Sequence, residues 1–291
     1  MAGSPEFRKH RFIPFAPAFL MVASLFVSCE AESILVVSDP YIDTVQGGAW
    51  GPTHPSFTIM ARLSGYRVLV ATAENADDFR AIVESAGDTA GIVLVSPLNA
   101  AGADRLPPGE RRIVVAGGTA DDDNPVVRVA MDRTKAMAEA GLLAARIAEA
   151  EGGPAVALFS LGNRARFAEI EALSEAFDSG TDQKLFVHTV DGLSGELAMD
   201  FLDEASNSSV LLLFSGPANI TVMEETANEG IPVITEGRGG SHAWDERIAG
   251  SVEDDRKALN RALMETIRDE ERRTVPGYDA KFMTGRLSGT W

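Results

Sequence analysis

The residues best suited to chemistry in this chain stand singly, each just beyond an apolar run. Asp39 and Tyr41 follow SILVVS (Ser33 to Ser38), and Ser96 and Asn99 follow GIVLV (Gly91 to Val95). Gly216 sits in the turn Ser215-Gly216-Pro217 after VLLLF, and Glu236 closes IPVIT. Asn163, Arg164 and Arg166 open a helical stretch, while Arg238, His242 and Trp244 trail Glu236 in EGRGGSHAW. Such a set suits recognition. Carboxylates accept from hydroxyls or pair with an amine, guanidinium groups make several directed hydrogen bonds at once, and aromatic faces pack on sugar or base rings. Trp50, in the Gly-rich stretch GGAWGP, is expected on an exposed loop as a ligand contact. Bland roles compete: Asp39 equally suits a helix cap, Arg164 and Arg166 a solvated helix start, Arg238 a partner for Glu236, and Glu253 the cap of the next helix. Asp132 is expected to steady a helix N-terminus rather than touch ligand.

Catalysis finds little support. The histidines are His10, His54, His188 and His242, and no HExxH, phosphate-binding loop, GxGxxG or GxSxG pattern occurs. His242 lies near Asp245 but has no placed nucleophile. The single cysteine, Cys29, rules out an intramolecular disulfide and a Cys-based zinc site. The chain is therefore expected to be no enzyme and to carry no catalytic residue, metal or cofactor. A formal net charge of −17 repels phosphate backbones, so nucleic acid is not an expected partner.

The elements that must position these residues alternate. Apolar, β-branched runs without polar alternation (Ser33 to Ser38, Tyr66 to Ala71, Gly91 to Val95, Arg112 to Ala116, Val126 to Ala130) are separated by helical stretches such as Ala76 to Ala86. This pattern predicts a parallel sheet covered on both faces, with ligands at the carboxyl ends of its strands. A long Ala/Leu helix from about Arg133 to Ala150 stops at Gly152-Gly153-Pro154, and a second set of strands begins at Ala155. That stretch marks the passage between two α/β lobes. Asp39 to Pro55 is expected to be a long loop.

Ahead of the first strand, Arg8, Lys9 and Arg11 precede the apolar run Phe12 to Val27, the layout of an export signal. Leu25-Phe26-Val27-Ser28-Cys29 resembles a relaxed form of the site at which bacterial lipoproteins are cut and lipidated on the new N-terminal cysteine. Phe26 stands where the usual motif has Leu. A plain secretory signal and an uncleaved anchor are the alternatives. The expected signal is residues 1–28, with lipidation at Cys29 and attachment to the membrane through that lipid.

Several pieces in order resemble the type I periplasmic binding proteins, the ribose-binding and LacI-like fold: SILVVS, LSGYRVLVATAEN, AGIVLVSP, VVRVAMDRTKAMAEAG, LFSGPANITVMEETANEGIPVITEG and IAGSVEDD. The resemblance spans nearly the whole chain after Cys29. It implies two Rossmann-like lobes with parallel sheets, residues 29–132 with 254–277 and residues 133–253 with 278–291. They would be joined by three crossings near Asp132, Glu253 and Tyr278 and would close over a solute. With the strand-end positions and the residues named above, the ligand site is expected to be drawn from Asp39, Tyr41, Trp50, Ser96, Asn163, Arg164, Arg166, Gly216, Glu236, Arg238 and Glu253. The family's Asn-Asp pair after the fourth strand of the second lobe is replaced here by Ser215-Gly216-Pro217. The expected function is exported solute binding by a monomer, for a sugar, sugar-like compound or nucleoside delivered to an ABC permease. A sensor lipoprotein that presents its closed form to a receptor is the alternative.

Overall fold

The computed structural model describes residues 32–45, 50–106, 111–116, 126–160, 165–190, 199–216, 218–237, 246–269 and 274–284. The first sheet contains β1 (Ser33–Ser38), β2 (Arg67–Thr72), β3 (Ile92–Val95), β4 (Arg112–Ala116) and β5 (Val127–Asp132), in the order β2-β1-β3-β4-β5. The second contains β6 (Ala155–Ser160), β7 (Leu185–Val190), β8 (Val210–Phe214), β9 (Val233–Glu236) and β10 (Ile248–Asp254), in the order β10-β9-β8-β6-β7. Every neighbouring pair within each sheet is parallel. The central strands are unalternating because both faces are covered: β3 and β8 are buried along their whole length. The edge strands β2 and β7 alternate and are partly exposed.

A final strand, β11 (Thr274–Thr284), joins the two sheets. Its first part runs parallel to β5 and its second part antiparallel to β10. The sequence places a crossing near Tyr278 but shows no strand there, because Pro276-Gly277 interrupts the apolar run. The structure absorbs that dipeptide as a register shift between Val275 and Tyr278. Asp132 at the end of β5 lies opposite Asp279, and Asp254 at the end of β10 lies opposite Ala280. The three chain passages between the lobes therefore run side by side.

The cores follow from the helices. The helix Thr134–Glu151 buries Ala136, Met137, Ala140, Gly141, Ala144, Ala145, Ile147 and Ala148, and ends at Gly152 in the left-handed region. It packs almost backbone to backbone on the helix Ala165–Gly180, where a Cβ added at Gly141 would stand 2.3 Å from the Leu173 carbonyl oxygen. The helix Arg256–Arg268 starts from an Asp255 cap that accepts from the amides of Lys257 (3.1 Å) and Ala258 (3.2 Å). It follows a strand of the second sheet, yet Leu259, Leu263, Met264 and Ile267 pack with Ile34, Val36 and Leu94 of the first.

The segment expected to be a loop contains the helix Pro40–Val45 and a short 3-10 turn, Gly51–Thr53. Asp39 Oδ1 accepts from the Ile42 amide at 2.7 Å and Pro40 takes the first helical position. Asp-Pro is a helix-start signal in its own right. Trp50 is 0% exposed and belongs to the first-sheet core with Phe57, Leu259 and Leu263. The exposed aromatic expected there is instead one of the largest buried side chains, since an indole tucked under the Arg256–Arg268 helix removes more apolar surface from water than a loop position would.

Candidate functional site

Every strand of both sheets except β11 runs so that its carboxyl end faces the passage between the lobes, and polar side chains gather there. On the first lobe, Ser38, Asp39 and Ser96 are buried. Asn99 Nδ2 donates to the Ser38 carbonyl at 3.2 Å and to Ser96 Oγ at 3.1 Å, tying the ends of β1 and β3 together. These groups shape the base of the site. Tyr41, on the helix that Asp39 caps, is the side chain that crosses to the other lobe.

Across the gap, Asn219 Nδ2 donates to the Tyr41 hydroxyl at 2.8 Å, and that hydroxyl donates to Glu236 Oε1 at 3.4 Å. Asn219 is itself held: its Oδ1 accepts from the Ser215 amide (2.9 Å) and hydroxyl (2.7 Å), and Nδ2 also donates to the Leu213 carbonyl (3.1 Å). Gly216 adopts φ +74°, a conformation natural to glycine, and its amide donates to Glu236 Oε1 at 3.1 Å. A Cβ at Gly216 would lie 3.4 Å from Leu98 of the first lobe, so the turn itself abuts the opposite side.

Glu236 meets a second partner at the crossing. Arg133 Nη1 donates to Glu236 Oε2 at 3.0 Å, and Nη2 donates to Asp254 Oδ1 at 3.3 Å, with the arginine side chain only 12% exposed. Burial alone would favour loss of the Arg133 proton. The carboxylates of Asp254, Glu236 and Glu169 outweigh it and raise the pKa above the ordinary arginine value, so the group stays charged. Glu169, on the Ala165–Gly180 helix, is buried as well. The arrangement is a chain of directed contacts from Tyr41 through Glu236 and Arg133 to Asp254, linking both lobes with the crossing strands.

Among the expected residues, the structure brings Tyr41, Gly216 and Glu236 together and sets Asp39 and Ser96 at the same sheet end. Trp50 is not among them; it lies in the core. Glu253 accepts from Ser251 Oγ at 3.1 Å, and its neighbour Asp254 is the one that reaches Arg133. Nor does Glu253 cap the next helix, a role taken by Asp255. Asp132 accepts from the Thr134 hydroxyl (2.6 Å) and amide (3.0 Å), which hold its carboxyl below the ordinary range against a smaller upward push from burial. Asn163, Arg164 and Arg238 lie outside the described residues, as do Cys29 and the leader; Arg166 is described only as part of its helix, and Tyr278 only as part of β11. Asn219 and Arg133 were missed. Asn219 stands two residues after Pro217, where a side chain can turn back on the strand end, and Arg133 directly follows the crossing Asp132.

No group of three or more His, Cys, Asp and Glu suited to a metal ion occurs among the described residues. No helix among them is long and apolar enough to cross a membrane.

No family model matches the sequence, and no curated protein matches it. Solved structures do match in fold. A solute-binding protein of an ABC transporter system from Aeropyrum pernix K1 aligns with a TM-score of 0.61 at 12% identity, over 87% of this chain and 76% of its own. A periplasmic binding protein/LacI transcriptional regulator from Alkaliphilus metalliredigens QYMF, complexed with D-xylulofuranose, aligns with a TM-score of 0.62 at 10% identity, over 89% of this chain and 100% of its own. The myo-inositol binding protein of Caulobacter, bound to myo-inositol, gives 0.55 at 16% identity, over 88% and 94%. These neighbours are binding proteins and regulators. The two-domain α/β architecture and its mostly parallel strands match the type I periplasmic binding protein fold, which LacI-family regulators share.

Proposed function

We propose that this protein is an exported, lipid-anchored solute-binding protein that closes on a small polar molecule and delivers it to an ABC permease. The carrying observation is the Tyr41 hydroxyl lying between Asn219 and Glu236 of the other lobe. Side chains from two lobes that meet at strand carboxyl ends can exchange those contacts for a ligand seated between them. The lobes are residues 29–132 with 254–277 and residues 133–253 with 278–291, and they move at Asp132, Glu253 and Tyr278. A ligand that touches both lobes favours the closed form by its differential affinity. Glu236 and Asn219 offer an acceptor and an amide to ligand hydroxyls, Tyr41 offers a flat face, and Arg164, Arg166 and Arg238 supply further donors. That chemistry suits a sugar, a sugar-like polyol or a nucleoside, the class to which the D-xylulofuranose and myo-inositol of the fold neighbours belong.

The test is a thermal-shift screen of sugars, polyols, nucleosides and amino acids on the purified protein, with small-angle scattering on each compound that responds. One class raising the melting temperature, by linkage worth about 2.7 kcal/mol at a hundredfold excess over Kd, together with a smaller radius of gyration, is the expected result. No response across the screen, with an unchanged radius, would overturn the reading.

A further inference from the structure

We infer that Tyr41 is the built-in occupant of a hydroxyl-recognising subsite on the second lobe, and that a solute hydroxyl must displace it. The inference rests on the solute-binding reading above and deepens it: it names the group that the site selects and the side chain that competes for it. The second lobe builds the subsite by itself. Asn219 is 2% exposed, and its amide is oriented by the chain around it. Its Oδ1 accepts from the Ser215 amide (2.9 Å) and hydroxyl (2.7 Å), and one Nδ2 hydrogen goes to the Leu213 carbonyl (3.1 Å). A backbone N–H can meet only the oxygen of that side chain, so the amide cannot be turned over, and the second Nδ2 hydrogen has a fixed direction. It points at the Tyr41 oxygen, 2.8 Å away. Glu236 is fixed as firmly, with the Gly216 amide on Oε1 at 3.1 Å and Arg133 on Oε2 at 3.0 Å. None of these anchors comes from the first lobe.

A donor and an acceptor thus converge on one atom. Of the groups that a small polar solute carries at neutral pH, a hydroxyl both accepts and donates at a single atom. An ammonium has no lone pair for Asn219, and a carboxylate has no proton for Glu236 and meets its like charge. The phenol fills the seat unevenly. Its bond to Asn219 has an ordinary length, while the 3.4 Å to Glu236 Oε1 is well beyond the usual O–H···O distance of about 2.8 Å. Tyr41 reaches the seat from the helix Pro40–Val45 of the first lobe. A hydroxyl on a solute in the cleft carries no such tether and can sit closer to the carboxylate. The unliganded seam is therefore self-occupied: the phenol that holds the lobes together is also the competitor of the solute.

The experiment titrates the parent protein and Tyr41→Phe by calorimetry. The probes are the sugars, polyols, nucleosides and amino acids of the thermal-shift screen, myo-inositol, D-xylulose and adenosine among them, with the mono-deoxy series of each hydroxyl compound that binds. Tyr41→Phe keeps the ring and removes the competing oxygen. Its Kd for a hydroxyl compound should fall at least about fivefold, because the seated phenol withholds that share of the parent from binding. One member of the deoxy series should show no such gain: lacking the displacing hydroxyl, it binds with the phenol still seated. A smaller fall or a rise in Kd, or a gain shared by the whole deoxy series, overturns the inference and leaves solute binding intact. Binding confined to amino acids that carry no side-chain hydroxyl does the same. If neither protein binds any compound, the solute-binding reading fails, and the inference falls with it.

Discussion

The Tyr41 hydroxyl of the first lobe accepts a hydrogen bond from Asn219 of the second at 2.8 Å and lies 3.4 Å from Glu236. One phenol thus joins two strand ends of the opposite sheet. Tyr41→Phe removes that hydroxyl and leaves a buried amide and carboxylate each short of a partner, at a cost of about 1–3 kcal/mol to the closed arrangement. Scattering should show a larger radius of gyration for the unliganded variant. An unchanged radius and melting temperature would mean that this contact does not hold the lobes.

Arg133 is the cation on which Glu236 and Asp254 converge. Arg133→Ala removes the cation that both carboxylates share in a buried setting, and breaking such a pair costs about 3–5 kcal/mol. The carboxyl pKa values then rise in the folded protein, so the loss should be greatest near neutral pH and shrink as the pH falls and the carboxyls take up protons. Urea titrations of the variant and the parent at several pH values check this; a difference that does not vary with pH would contradict it.

Trp50 fills the core between the Gly51–Thr53 turn and the Arg256–Arg268 helix. Trp50→Ala should therefore lower stability by about 3–5 kcal/mol, the cost of a large buried cavity. Chemical denaturation measures it. A stable variant with weakened ligand binding would instead make Trp50 a ligand contact.

Gly141 has no room for a methyl group, because Leu173 carbonyl oxygen would stand 2.3 Å from it. Gly141→Ala gains helix propensity, worth up to about 1 kcal/mol. It must nonetheless push two helices apart, an overpacking cost of about 1–3 kcal/mol. The net effect should be destabilising, and a rise in melting temperature would show that the helices part freely.

Asp255 is held below its ordinary pKa of 3.8 by the Lys281 hydrogen bond, against a smaller push from burial, with the Ala258 and Lys257 amides adding to the lowering. Asp132 is lowered by Thr134 in the same direction. A depressed carboxyl pKa contributes stability that is present above pH 3.8 and lost as the pH falls through the folded value. The unfolding midpoint should fall with pH in that acid range. The D132N/D255N variant should show a flatter decline.

The two-lobe parallel architecture was legible in the sequence because strands buried on both faces must be apolar throughout, and runs such as GIVLV and VLLLF carry that requirement in their composition. Gly152 likewise announced the end of the crossover helix, since the left-handed cap favours glycine. Which of the polar residues would meet was decided only by the tertiary structure. Tyr41 stands far in the chain from Asn219 and Glu236 and meets them because two sheets are set edge to edge by β11, a strand that Pro276-Gly277 disguised. Trp50 reads as exposed from its glycine-rich neighbours, yet its burial depends on a helix more than two hundred residues later folding back onto the first lobe. Local pattern records whether a segment is covered; the partner that covers it depends on long-range packing, which a single sequence does not display.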